Sequence, residues 1–149
     1  MLLRRDRALT AVLIMLDVAF HAGRTGTVSA GDIAERSGLL RRGIEPLLQV
    51  LSRSGLLESA RGPRGGYRLG RPRRAIRLAD IVQVISAEES GAPDAPAGKL
   101  QEAVIVPLWK ELDAALGERL AALTLDDLVR RAEAGGLRRP VSEPISYAI

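Results

Sequence analysis

No pair of side chains in this sequence is arranged for covalent chemistry. His21 is the sole histidine and cysteine is absent, which excludes histidine-based triads, thiolate nucleophiles, disulfides and thiolate-bound metals. Near a helix end, His21 reads as a solvated or capping residue. No P-loop or dinucleotide fingerprint occurs. Gly62, Gly65 and Gly66 resemble a phosphate cradle, but they stand between two predicted strands and not at the head of a helix, where a dipole would hold an anion. The chain is expected not to be an enzyme and to carry no cofactor or metal. What its residues offer is recognition. Arg41, Arg42, Glu45, Gln49 and Arg53 fall on one short predicted helix or its lead-in. Arg reads guanine edges, Glu accepts from cytosine and Gln pairs with adenine. A second group, Arg61, Arg64, Gly65, Gly66 and Tyr67, sits on a glycine-rich turn. Such a turn lets backbone approach closely, and an Arg at its tip fits a narrow minor groove. Any amphipathic helix has a solvated face and any hairpin can carry charge, so single residues do not decide. The clustering does.

The charge distribution points the same way. Residues 1–80 hold fifteen arginines against seven carboxylates; residues 81–149 hold seven basic against eleven acidic side chains. A basic half followed by an acidic half implies a polyanion partner for the first. Only Lys99 and Lys110 are lysines. A GC-rich genome explains that preference, but not the asymmetry. Arg71, Arg73, Arg74 and Arg77 are expected to add phosphate contacts or general positive charge. No 18-residue apolar run exists, so no transmembrane helix is expected. The stretch Ala8–Phe20 behind Arg4 and Arg5 mimics a signal peptide, but Asp17 interrupts it. A core helix and a cytoplasmic location follow. Aromatics are 3% of residues, which leaves aliphatic side chains to build the core.

The elements that must position these groups are legible in part. Leu9, Val12, Leu13, Leu16, Ala19 and Phe20 predict a helix over about 5–22, stopped by Gly23. Ser29, with Asp32 three residues on, caps a two-turn helix whose apolar face is Ile33 and Ala34 and which ends at Ser37-Gly38. Ile44, Leu47, Leu48 and Leu51 mark a third helix, with Gly55 at its left-handed end. Pro46 suits only a first turn, so this helix is expected to begin at Ile44 or Glu45, leaving Arg41 and Arg42 in the preceding turn. Leu56–Ala60 and Tyr67–Leu69 predict a hairpin directly behind this helix-turn-helix. Leu78, Ile81, Val82 and Ile85 mark a fourth helix. Glu88–Gly98 reads as a linker. A long helix follows over about 99–122, with Pro107 kinking it or marking its true start. Thr124 and Asp127 cap a last helix, which Gly135-Gly136 ends.

The run Gly55–Leu69, GLLESARGPRGGYRL, resembles the wing of the Rrf2 family of bacterial transcriptional regulators. Leu16-Asp17-Val18-Ala19, Asp32-Ile33-Ala34-Glu35-Arg36, Leu108-Trp109 and Leu123–Leu128 are similar to it as well. The likeness covers about residues 4–130. It implies a homodimer of winged-helix subunits joined through the long helix. It implies that Glu45 holds the place of the recognition-helix glutamate and Arg61 that of the wing arginine at the minor groove. Many members hold an iron–sulfur cluster on three cysteines between the wing domain and the long helix. The matching stretch here, 88–106, has neither cysteine nor histidine. The resemblance is therefore to the clusterless branch, whose signals come from a partner protein, a small molecule or another route. Leu40, Gly43 and Pro46 replace the family's usual Ser, Tyr and helix-friendly polar residue, so operator sequence does not carry over.

The expected architecture is mainly α with a small β-hairpin wing. Residues 1–87 form a winged helix-turn-helix domain and 88–98 a linker. Residues 99–135 form a dimerisation helix and a short C-terminal helix, and 136–149 an extended or disordered tail. The expected function is sequence-specific, cluster-free binding of double-stranded DNA as a homodimeric repressor. Its dimer interface is expected along Ile105, Trp109, Leu112, Leu116, Leu120 and Leu123. The alternative is an interaction adaptor that docks a partner protein or small molecule through the acidic C-terminal half.

Overall fold

The computed structural model describes residues 5–23, 25–63, 65–89 and 98–137. Arg64, most of the predicted linker and the predicted tail beyond Leu137 lie outside the described residues.

Helix α1, Arg5–His21, is the central strut and packs against the next two helices, the second strand of the hairpin, the fourth helix and the last one. Its segment 8–20 is apolar nearly all round, so periodicity could not choose the buried face. Ala11, Ile14, Met15 and Val18 are fully buried, whereas Leu9 and Leu13, expected inside, are exposed. Packing on both sides of the helix set the choice. Asp17 near its end is buried and receives two bonds from Arg36, at 2.9 and 2.8 Å. His21 lies 3.8 Å from Asp17 and edge-on to Phe20.

Helix α2, Ala30–Ser37, starts as the sequence demands: the Ser29 hydroxyl oxygen accepts from the Asp32 N–H at 3.0 Å. Gly38 ends it at φ +68°, a left-handed value that Gly adopts without a Cβ clash. After a two-residue turn comes α3, Arg41–Arg53. The expected start at Ile44 or Glu45 is corrected: Arg41 and Arg42 are in the helix, and Pro46 lies in its interior. A proline there costs about 3 kcal/mol. Ile44, Leu47, Leu48 and Leu51 are all 2% exposed or less, and full burial of each is worth about 1.5–3 kcal/mol. The core outweighs the proline.

Strands β1, Leu57–Ala60, and β2, Gly66–Leu69, form an antiparallel hairpin with Leu57 opposite Leu69 and Ser59 opposite Tyr67. Val28 pairs with the other edge of β2 through two backbone bonds to Tyr67, at 2.9 and 2.7 Å. A Cβ on Gly66 would stand 2.5 Å from the Val28 carbonyl oxygen, so only glycine permits this approach. The hairpin is thereby tied to the foot of α2.

A short 3₁₀ turn, Arg73–Ala75, leads into α4, Leu78–Glu89. Lys99 and Leu100 are helical, and a π turn at Gln101–Ile105 precedes α5, Val106–Ala122. Pro107 accounts for the π turn: it has no N–H to donate and its ring crowds the preceding turn. The Val106 N–H reaches Gln101, five residues back, instead of four. Helix α6, Leu125–Ala134, opens on a full capping box between Thr124 and Asp127.

One core joins α1 to α4, and Leu125 and Val129 of α6 belong to it. None of α5 is fully buried. The predicted stripe divides. Leu120 and Leu123 are partly buried and pack against the core. Trp109 and Leu116 are half-buried; Ile105 and Leu112 are exposed.

Candidate nucleic-acid interface

Because one side of α3 is sunk in the core, its other side must face outward. That side carries Arg42, Glu45, Pro46 and Gln49, spaced three, four and seven residues from the first, all exposed. The hairpin rises beside it. A groove of about 440 Å³ runs between them. Arg41, Glu45 and Gln49 form its helical wall; Ser59, Gly66 and Tyr67 form its hairpin wall. Predicted residues from two separate sequence runs thus meet on one surface, and Ser59 and the Ser29-Ala30 end of α2 join them unforeseen. Gly65 lies at the turn, its N–H donating to Gly62 at 2.8 Å.

The arginines sort into two groups. Arg41 pairs with Glu45 at 3.2 Å, Arg53 with Glu88 at 3.3 Å and Arg68 with Glu58 across the hairpin at 3.0 Å. The hydrogen bond to Arg68 holds the Glu58 carboxyl below its ordinary range and raises the guanidinium in return. These pairs are exposed and screened by water, so each is weak and a phosphate can displace the carboxylate. Arg42, Arg61, Arg71 and Arg74 are exposed and have no ion pair among the described residues.

Arg73 and Arg77 are engaged within the fold. Arg73 bonds Asp126 at 2.7 Å, and the Arg77 guanidinium donates to the Ala121 carbonyl at 2.6 Å. With the backbone bonds Leu78 to Leu123 and Leu125 to Ile76, both 2.9 Å, they clamp the C-terminal helices onto the wing domain. Part of the charge asymmetry in the sequence is therefore internal: basic residues of the first half meet acidic residues of the second. Nothing local in the sequence announces these partners.

Residues 5–131 match the family described as Rrf2, iron-dependent transcriptional regulator. The chain belongs to the Rrf2 family. The transcriptional regulator IscR of Xenorhabdus nematophila is 34% identical over 128 residues, covering 83% of this chain and 76% of the relative. Among solved structures, IscR of T. potens superposes with a TM-score of 0.72 at 32% identity, over 91% of each chain. CymR, the global cysteine regulator of B. subtilis, gives 0.69 at 30%, over 88% of this chain and 98% of its own.

This Rrf2 protein is thus a winged-helix, DNA-binding transcriptional regulator and not an enzyme. Its residues do not fit an iron–sulfur cluster. The sequence offers no sulfur donor besides methionine. Among the described residues no three His, Cys, Asp or Glu side chains gather, and His21 is held between Asp17 and Phe20 on α1. No helix among them is long and apolar enough to cross a membrane.

Proposed function

We propose that this regulator is a homodimeric, cluster-free repressor that reads its operator with α3 and braces on it with the hairpin. One observation carries the reading: Arg41, Glu45 and Gln49 of α3 share a groove with the hairpin. Arg41, Arg42, Glu45 and Gln49 then address base edges, with Arg53 at the carboxyl end of the helix. Arg61, Arg64, Gly65, Gly66 and Tyr67 address the adjoining backbone and minor groove. Residues 1–87 act as the DNA-binding unit and 99–135 as the pairing unit. Ile105, Trp109, Leu112 and Leu116 supply the apolar contact between copies, because a solvent-facing row of aliphatic side chains is stabilised by burial. Repression needs only occupancy of the duplex. The signal, a partner protein or a small molecule, enters through the C-terminal half.

Selection of bound fragments from genomic DNA with the purified protein returns the operator. Its half-sites should lie about one helical turn apart, and affinity should fall steeply with salt as counterions are released. Arg61→Ala should weaken binding about tenfold at fixed salt. Unchanged gel-shift titrations would remove the wing from the interface. A monomer by light scattering at micromolar protein would give the α5 surface to a partner protein instead.

A further inference from the structure

We propose that Pro46 and Leu40 make α3 a reader of thymine methyl groups. This rests on the reading of α3 as the helix that enters the major groove.

Pro46 is exposed and stands in the outward row between Arg42 and Gln49, beside Glu45. The buried side of the helix, Ile44, Leu47, Leu48 and Leu51, points the other way. Nothing inside the fold calls for proline at this position. It packs against no core, lies beyond the first turn, and removes the backbone bond that residue 46 would give to the Arg42 carbonyl. Leu40 is the second discordant residue. It is the N-cap of α3, where Ser, Thr, Asp or Asn would satisfy a free N–H, yet it makes no side-chain cap bond and is 78% exposed. Pro46 thus stands in the outward row, and Leu40 stands exposed at the amino end of the same helix, the end that approaches base edges in the major groove; both weaken the helix. Local stability explains neither; an apolar contact made on binding explains both.

The major groove presents one apolar feature, the 5-methyl group of thymine. A pyrrolidine ring and an isobutyl group offer C–H surface with no donor or acceptor. Cytosine in the same place would press its amino group against carbon with no acceptor, so thymine is preferred over cytosine. At a rise of 1.5 Å per residue the two side chains are about 9 Å apart along the axis, and so they address different base steps.

Uracil keeps every hydrogen-bonding edge of thymine and lacks only the methyl group. Starting from a selected operator, each thymine is replaced by uracil in turn and binding of the full-length protein is measured. One or two thymines per half-site should lose about threefold to fivefold in affinity, the value of one buried methyl. In Pro46→Ser one of these losses should vanish, and in Leu40→Ser the other. Pro46→Ser regains a backbone N–H and Leu40→Ser gains a cap, so both variants should fold. Uracil tolerated at every position by the wild-type protein would overturn the proposal, as would losses that persist in both variants. Failure of the wild-type protein to select any duplex would instead overturn the DNA reading beneath it.

Discussion

The outward side of α3 and the outward side of α5 solve opposite problems. Helix α3 buries Ile44, Leu47, Leu48, Val50 and Leu51 and exposes mainly charged and polar side chains. It stands on a finished core and is at ease in water. Helix α5 has no fully buried residue, and Val104, Ile105, Val106, Leu108 and Leu112 around its start are all at least 39% exposed. A polar surface backed by a core suits a partner that comes and goes, such as a polyanion. An aliphatic surface without one suits a partner that stays. The lesson is that exposure alone says little; its meaning lies in the chemistry exposed and in what stands behind it.

The contrast can be broken at either end. The largest effect is expected at α5. Leu112, 50% exposed, becomes a buried charge in Leu112→Glu if two copies meet there. The dimer dissociation constant should rise about a hundredfold by sedimentation, because an unpaired carboxylate would be desolvated. Unfolding of the monomer should be unaltered. An unchanged dimer would show that this surface faces something else.

The reading half should respond to a change far from its groove. Arg36→Ala leaves the Asp17 carboxylate buried with only His21 near it. Breaking such a pair should destabilise the fold by about 2–3 kcal/mol, less than for a fully buried pair because Arg36 is partly exposed. Urea unfolding measures this, and dimer affinity should stay constant. Loss of dimerisation at equal stability would mean that α1 and α2 take part in pairing.

The smallest effect sharpens the picture at the foot of α5. In Thr124→Ala the capping box is lost, at about 1 kcal/mol of stability. The box also gives an acid signature. Bonds from the Thr124 N–H and hydroxyl hold the Asp127 carboxyl below its ordinary 3.8. A carboxyl lowered by folding stabilises the fold above its unfolded value, and that contribution fades as pH falls through 3.8 toward the lowered one. Acid unfolding of the variant should be shallower in that window. An identical pH profile would remove the cap from the stability of α6.

Much of the reading half was legible because its cues are local. Ser29, Gly38, Gly55 and the Thr124–Asp127 pair end or start helices where expected, since a cap involves neighbours three or four residues away. The hairpin was legible from alternation and a glycine turn. The outward face of α3 followed from the spacing of its buried partners. What escaped was anything settled over distance. The start of α3 escaped because proline's preference for a first turn is a local cue, and the three residues ahead of Ile44 are helical in spite of it. The partners of Arg73 and Arg77 escaped because Asp126 and the Ala121 carbonyl lie in another part of the chain.

The sequence by itself determined the helices with their caps, the hairpin, the absence of cluster ligands and the residue types available for reading DNA. These depend on side-chain chemistry and on contacts within a turn or two. Only the tertiary structure decided which face of α1 is buried, which arginines remain free and how the stripe on α5 divides. Those outcomes turn largely on groups 19 to 53 residues apart, and such competition is resolved only when the elements pack.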